Sequence, residues 1–138
     1  MTMPVGLLDT DILSALMRQN PAVTARAKSY LNMHGRLTFS IITRYEILRG
    51  LYAKAADKQI ESFNKLCERS YLLSISDEII VKAAEIYGVL HQRGELISDA
   101  DILIGASALV NGTCVVTNNL HHFQRIPGLT IENWLDVD

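Results

Sequence analysis

Features that would place this chain in a specialised class are scarce. Among its 138 residues are only two cysteines, Cys67 and Cys114, far apart and without C-x-x-C spacing. This pattern provides neither a disulfide framework nor a cysteine-based zinc site, and it favours a reducing compartment. No basic segment followed by an apolar one opens the chain, and every apolar run is well short of the roughly 20 residues that cross a bilayer. We therefore expect a soluble, cytoplasmic protein that does not associate with membranes.

An excess of one charge is also missing. The chain has 13 basic and 15 acidic residues, a formal net charge of −2, whereas nucleic-acid-binding proteins are often basic overall. A polyanionic substrate would need local basic residues, or a cation held by the acids, to offset repulsion. The composition, 49% hydrophobic and 20% charged, is typical of a globular protein. The length predicts one domain, residues 1–138, that is large enough to bury a core.

Strand and helix patterns alternate along the chain, which predicts an α/β fold with a parallel sheet covered by helices on both faces. Pro21 suits the first turn of a helix, and Asn111-Gly112 suits the end of one. We predict strands at 5–8, 37–40, 71–75, 113–117 and 129–131. We predict helices at 11–18, 21–33, 42–56, 58–69, 77–92 and 99–110.

The most informative residue is Asp9, which ends the apolar run at 5–8. A carboxylate beside such a run is costly unless it is paired, hydrogen-bonded or bound to a metal. Parallel sheets bind ligands beyond the carboxyl ends of their strands, where Asp9 and residues 117–119 are both expected. We therefore interpret Asp9 as functional, and Asp11 or Thr10 as the cap of the following helix.

Two further acidic segments are candidates for the same site. Glu46 has Arg49 three residues later, a spacing that also suits a weak surface ion pair. Ser98 and Asp101 form a capping-box pattern, and Asp99 and Asp101 would point in different directions on one helix. Asp101 shares a stripe with Gly105 and Ala108, small residues that allow close approach of backbone or substrate. This favours Asp101 as a ligand and Asp99 as a cap or outer partner. Asp9, Glu46 and Asp101 would form a hard-cation site, most plausibly for Mg²⁺.

Other polar residues do not indicate one particular kind of site. The adjacent pair His121-His122 lacks the partner spacing of a structural zinc site. Five arginines are equally suited to phosphate contacts or to an ordinary surface: Arg36, Arg44, Arg49, Arg93 and Arg125.

Taken in order, the motifs of the chain resemble the PIN-domain ribonucleases, specifically the VapC toxins of bacterial type II toxin–antitoxin pairs. The likeness extends nearly from end to end. The segments that carry it are 8–14, 45–50, 101–106, 116–119, 126–129 and 132–134.

The resemblance implies a PIN-like three-layer α/β/α fold with a central, mostly parallel sheet of about five strands. It also implies a Mg²⁺- or Mn²⁺-dependent endoribonuclease that cleaves RNA, is inhibited by a VapB-like antitoxin and is expected to form a homodimer. Asp9, Glu46 and Asp101 correspond to the catalytic, metal-binding acids of such toxins. Possible secondary members of the site are Asp99, Asn119, His122 and Thr10.

One position departs from the family pattern. Family members often carry an acid immediately before the phenylalanine of the last motif, where this chain has His122 before Phe123. Asn119, or His122 through a water, would then take the fourth position, and three acids would hold one Mg²⁺.

Two other functions are considered. Asp9-Thr10-Asp11 imitates the start of a haloacid-dehalogenase-type phosphatase, but Thr117 follows Asp101 and so falls in the wrong order. Alternatively, the acids act as caps, and the chain serves mainly as an antitoxin-binding subunit.

Overall fold

The structure, a computed structural model, describes residues 3–135. Within them the chain forms five short strands and seven helices. The strands are β1 (Gly6–Leu8), β2 (Thr38–Ser40), β3 (Tyr71–Leu73), β4 (Cys114–Val116) and β5 (Ile131–Glu132). The helices are α1 (Thr10–Met17), α2 (Pro21–His34), α3 (Ile41–Ala53), α4 (Asp57–Glu68), α5 (Asp77–Arg93), α6 (Asp99–Asn111) and α7 (Leu120–Phe123).

Local chemistry sets most helix boundaries. The side chains of Asn20, Ser76 and Ser98 each accept a backbone N–H in the first turn of α2, α5 and α6. Helices α5 and α6 both end at a glycine in the left-handed region, Gly94 (φ 65°) and Gly112 (φ 67°). The predicted elements are therefore found close to their predicted bounds. Two differ: the last strand is Ile131–Glu132 instead of 129–131, and α7 was not predicted.

The sheet has the order β3-β2-β1-β4-β5, and every pairing within it is parallel. The chain moves outward from β1 through β2 to β3, then returns to the other side of β1 for β4. The strand order therefore reverses between β1 and β4, where Leu8 pairs with Val116. In open α/β sheets this switch point is where ligands bind, because the loops after the two strands diverge there.

Alternate residues of the strands contribute to two separate cores, since side chains of a strand point to opposite faces of the sheet. Leu8 and Val116 pack into the core formed with α1 to α4. Leu7 and Val115 pack into the core formed with α5, α6 and α7. This arrangement confirms the predicted three-layer α/β/α fold. Across residues 3–135 the helices are too short, or insufficiently apolar, for any of them to span a membrane.

Candidate metal centre

Asp9 lies at the carboxyl end of the central strand. Its backbone N–H donates to the carbonyl of Val116 at 2.9 Å, which continues the pairing of β1 with β4. Its side chain, in a residue only 5% exposed, accepts from the Thr10 N–H and from the Thr117 hydroxyl, both at 2.8 Å. These bonds hold the carboxylate at the switch point of the sheet. Asp9 also caps α1, so the prediction that Asp11 or Thr10 caps this helix is wrong: the helix begins one residue earlier than predicted.

Asp11 is the acid whose role the sequence did not reveal. One oxygen, Oδ2, accepts the backbone N–H of Asn118 at 3.0 Å, which ties α1 to the loop after β4. The other oxygen, Oδ1, is buried and accepts no hydrogen bond from any described residue. A buried carboxylate oxygen without a partner is unfavourable, so Asp11 has capacity to bind a cation or a water. The only sequence signal for this role is the D-x-D pattern, which equally suits a helix cap.

Glu46 reaches the same edge from α3. Its Oε1 accepts the Thr10 hydroxyl at 2.6 Å, and its Oε2 lies 3.7 Å from Arg49 Nη2. The Arg49 side chain is 60% exposed and that of Glu46 only 20%, so the ion pair is a weak surface contact. The bond from Thr10, next in sequence to Asp9, links the Glu46 side chain to the start of α1.

Asp101 lies in the first turn of α6, below the cap formed by Ser98, whose hydroxyl accepts the Asp101 N–H at 3.2 Å. Its carboxylate faces α7: Oδ2 is 3.1 Å from His122 Nδ1 and 3.5 Å from Asn119 Nδ2. Asp99 is exposed at the first residue of α6 and is not the cap.

Gly105 lies one turn beyond Asp101. A Cβ atom here would overlap Ile126, so the close approach predicted for this stripe is made by the chain itself.

The electrostatics of the site are unfavourable for a cluster of bare carboxylates. Burial raises the pKa of Asp9 to about 7, and the charges of Asp11 and Asp101 add to the effect against the hydrogen bonds from Thr117 and Thr10. Burial also raises the pKa of Asp11, and the charge of Asp101 contributes. The charge of Asp101 therefore disfavours ionisation of both Asp9 and Asp11, and the charge of Asp11 disfavours ionisation of Asp9. A divalent cation among them would reverse that balance.

The donor set fits a hard cation that retains waters. Within residues 3–135, no three His, Cys, Asp or Glu side chains form a group that could hold an ion as it stands. Mg²⁺, however, is usually bound through one or two carboxylates and several waters, without a closed protein cage. Asp11 Oδ1, buried and without a partner, is the observation in favour of such an ion.

A cavity of about 540 Å³ opens beside this edge, between α1, α3 and α4. Thr10 and Glu46 are among the residues that line it. Three exposed cations, Arg18, Lys54 and Lys58, lie on its walls. Charge of this sign suits a polyanion that approaches Glu46.

Of the five arginines considered for phosphate contacts, four have partners within the protein. Arg49 pairs with Glu46, and the others contact rings, sulfur or backbone carbonyls: Arg36 with Tyr71, Arg44 with Phe63 and Cys67, and Arg125 with Glu95 and Leu96. Lys54 and Lys58 were not predicted, because nothing in their sequence context distinguishes them from surface lysines.

Comparison with known proteins identifies the class to which this fold and its acids at the switch point belong. The family model of the PIN domain matches residues 6–129. Ribonuclease VapC1 of Haemophilus influenzae (strain R2866) is 30% identical over 131 residues, which cover 94% of this chain and 98% of that protein. Ribonuclease VapC1 of Methanocaldococcus jannaschii is 35% identical over 99 residues, 72% of this chain and 71% of that protein. The solved structure of VapBC-1 from nontypeable Haemophilus influenzae contains a chain with a TM-score of 0.83 and 29% identity, over 94% of this chain and 98% of that chain. The chain therefore belongs to the PIN-domain family and, within it, to the VapC ribonucleases.

Proposed function

We propose that this chain is a Mg²⁺- or Mn²⁺-dependent endoribonuclease and the toxin of a toxin–antitoxin pair. One observation carries the proposal: Asp9 is buried at the switch point with its pKa raised to about 7, beside Asp11 and Asp101. A bound cation would favour the ionised form of a buried acid that lies beside two other acids. The relatives named ribonucleases support RNA as the substrate class.

Asp9 and Asp101 would hold the ion, and Glu46 would position the ion or its water. When bound, a divalent ion supplies a Lewis acid for a phosphoryl oxygen and an activated water. The protein's own contribution is orientation: Thr117 fixes Asp9 and Thr10 fixes Glu46 through short hydrogen bonds. Asp11 holds the loop after β4, which carries Asn119, through the Asn118 N–H, and its buried Oδ1 would bind the ion or one of its waters. Asp99, more exposed, would serve at most as an outer partner.

RNA would approach along the cavity beside Glu46. Arg18, Lys54 and Lys58 line this cavity, and their charges would offset those of the phosphates and of the acid cluster. This local positive charge would offset the repulsion between RNA and a chain whose formal net charge is −2.

The proposed test is single-turnover cleavage of a structured RNA such as a tRNA, with Mg²⁺ or with EDTA. We expect cleavage only with Mg²⁺ and a loss of about 100-fold or more for Asp101→Asn. Asp57→Asn is a matched control, because Asp57 is an exposed acid at the start of α4. If wild type with EDTA and Asp101→Asn with Mg²⁺ both cleaved the RNA as fast as wild type with Mg²⁺, the mechanism would be contradicted.

The proposed partner is a VapB-like antitoxin, since a structure similar to this chain is named VapBC-1. We expect co-purification with the product of a short upstream frame that encodes a small DNA-binding protein. RNA cleavage should be absent from the complex and should return when the antitoxin is removed. Unchanged cleavage in the complex would refute inhibition.

A homodimer in the cytoplasm completes the proposal. Ile80, Val81 and Tyr87 on α5 are 48%, 51% and 45% exposed, which is unusual for a helix face without a partner. Light scattering should give twice the 15.4 kDa of the chain.

A catalytically weak, antitoxin-binding subunit is the second candidate, favoured only by His122 at a usually acidic position. It predicts that Asp9→Ala still inhibits growth on expression and that calorimetry detects no Mg²⁺ binding at millimolar concentration.

A further inference from the structure

Three polar atoms from α6 and α7 lie close to one another. His122 Nδ1 is 3.1 Å from Asp101 Oδ2 and 2.9 Å from Asn119 Nδ2, and the latter two atoms are 3.5 Å apart. Adjacent ligands of an octahedral ion at 2.1 Å are separated by about 3.0 Å, because they subtend a right angle. The two separations from His122 Nδ1 thus match an edge of such an octahedron, and the third separation, 3.5 Å, is longer.

The surrounding structure holds this triad in place. The Asn119 N–H donates to Thr117 Oγ1 at 2.9 Å, which fixes the start of α7 to the end of β4. Arg125 donates to the carbonyls of Glu95 and Leu96 at 3.2 and 3.3 Å, and so ties the segment after α7 to the loop before α6. The triad therefore does not depend on one flexible side chain.

With these side-chain orientations, no placement of the protons gives each of the three contacts one donor and one acceptor. If His122 Nδ1 carries a proton for Asp101, the amide N–H of Asn119 faces another donor. If Nδ1 instead accepts from Asn119, its lone pair faces a carboxylate oxygen. A cation satisfies all three groups once the Asn119 amide turns its oxygen inward. A proton on Nδ1 with the same amide turn is the competing arrangement.

We propose that His122 Nδ1 is a direct ligand of the divalent ion, together with Asp101 and the Asn119 amide oxygen, and that this nitrogen shifts the site's preference from Mg²⁺ towards Mn²⁺ and Co²⁺. The inference rests on the proposed function, because it assumes that the site binds a divalent ion. Imidazole suits first-row transition ions, whereas Mg²⁺ prefers oxygen ligands, and affinity rises from Mn²⁺ to Co²⁺ at mixed nitrogen–oxygen sites.

The test measures binding to the full chain without RNA. Calorimetry would give the affinities of wild type, His122→Glu and His121→Asn for Mg²⁺, Mn²⁺ and Co²⁺. Pulsed electron paramagnetic resonance would detect ¹⁴N coupling to bound Mn²⁺. His121→Asn is the matched control, because His121 is the exposed neighbour whose Nε2 faces Arg125 at 3.0 Å. His122→Asn is a second variant that lacks the new charge.

We expect wild type and His121→Asn to show ¹⁴N coupling and to prefer Co²⁺ and Mn²⁺ over Mg²⁺. His122→Glu should lose the coupling and reduce the ratio of Mn²⁺ to Mg²⁺ affinity at least tenfold, and His122→Asn should also lose the coupling. Ion binding by wild type without ¹⁴N coupling, or with an affinity ratio unchanged in His122→Glu, would overturn this inference and leave the nuclease proposal intact. No binding of any ion would overturn both.

Discussion

Replacing Asp9 with asparagine would measure how strongly the folded protein disfavours an ionised carboxylate at the switch point. In the metal-free protein this carboxyl group is 5% exposed, and its pKa is raised from 3.8 to about 7. Asparagine keeps an oxygen for the Thr10 N–H but never carries the charge. The difference in stability between wild type and Asp9→Asn should therefore depend on pH.

The sign follows from which state binds the proton more tightly. Between the ordinary pKa and the raised one, the folded state holds a proton that the unfolded chain has released. The stability associated with Asp9 is therefore fully present below pH 3.8 and is lost as the pH rises to about 7. A shift of about 3 units at about 1.36 kcal/mol each amounts to about 4 kcal/mol, of which about 3 kcal/mol falls between pH 5 and 8.

Urea unfolding with EDTA at pH 5, 6, 7 and 8 would measure this effect. We expect wild type to lose about 3 kcal/mol relative to Asp9→Asn across the series. Asp57→Asn, at an exposed acid, should run parallel to wild type. Added Mg²⁺ should remove the decline, because ion binding requires the ionised carboxylate and becomes tighter as the pH rises. A gap between wild type and Asp9→Asn that stays constant with pH would refute the reasoning.

Two further predictions concern a hydrogen bond and a packing contact. Thr10→Val should slow RNA cleavage about tenfold relative to Thr10→Ser, because it removes the hydroxyl that donates to Glu46 at 2.6 Å. Equal single-turnover rates for the two variants would contradict this positioning role. Gly105→Ala should lower the free energy of unfolding by about 1 kcal/mol or more, because its methyl group would overlap buried Ile126. Gly88→Ala, on α5 with open space around it, should instead raise that energy by about 0.5–1 kcal/mol in urea titrations.

The sheet edge was predictable because it depends on a simple rule. The apolar segments that became β1 and β4 each end in a polar residue, Asp9 and Thr117. Parallel strands bring such residues to the same edge, and the structure confirms that these two side chains share a hydrogen bond of 2.8 Å. The periodic helices were predicted for a similar reason, since their apolar stripes extend over three or more turns.

The separate structural roles of Asp9 and Asp11 could not be predicted from the sequence. Which of two acids caps a helix depends on a one-residue difference in where the helix begins, and the sequence pattern does not resolve that difference. The helix begins at Thr10, so Asp9 both caps it and faces the site. Asp11 is then left with an oxygen that has no partner, a consequence visible only after the loop at Asn118 is placed.

Helix α7 gives the two adjacent histidines different surroundings. A four-residue helix is too short to show an apolar period, so periodicity could not predict the directions of the two side chains. Successive residues of a helix point about 100° apart, and the structure directs His121 to Arg125 and His122 to Asp101. Adjacent histidines lack the spacing of structural zinc ligands, whichever of the two is considered. The fold makes them different residues, one at the surface and one at the acid cluster, and the chemistry proposed for His122 follows from that separation.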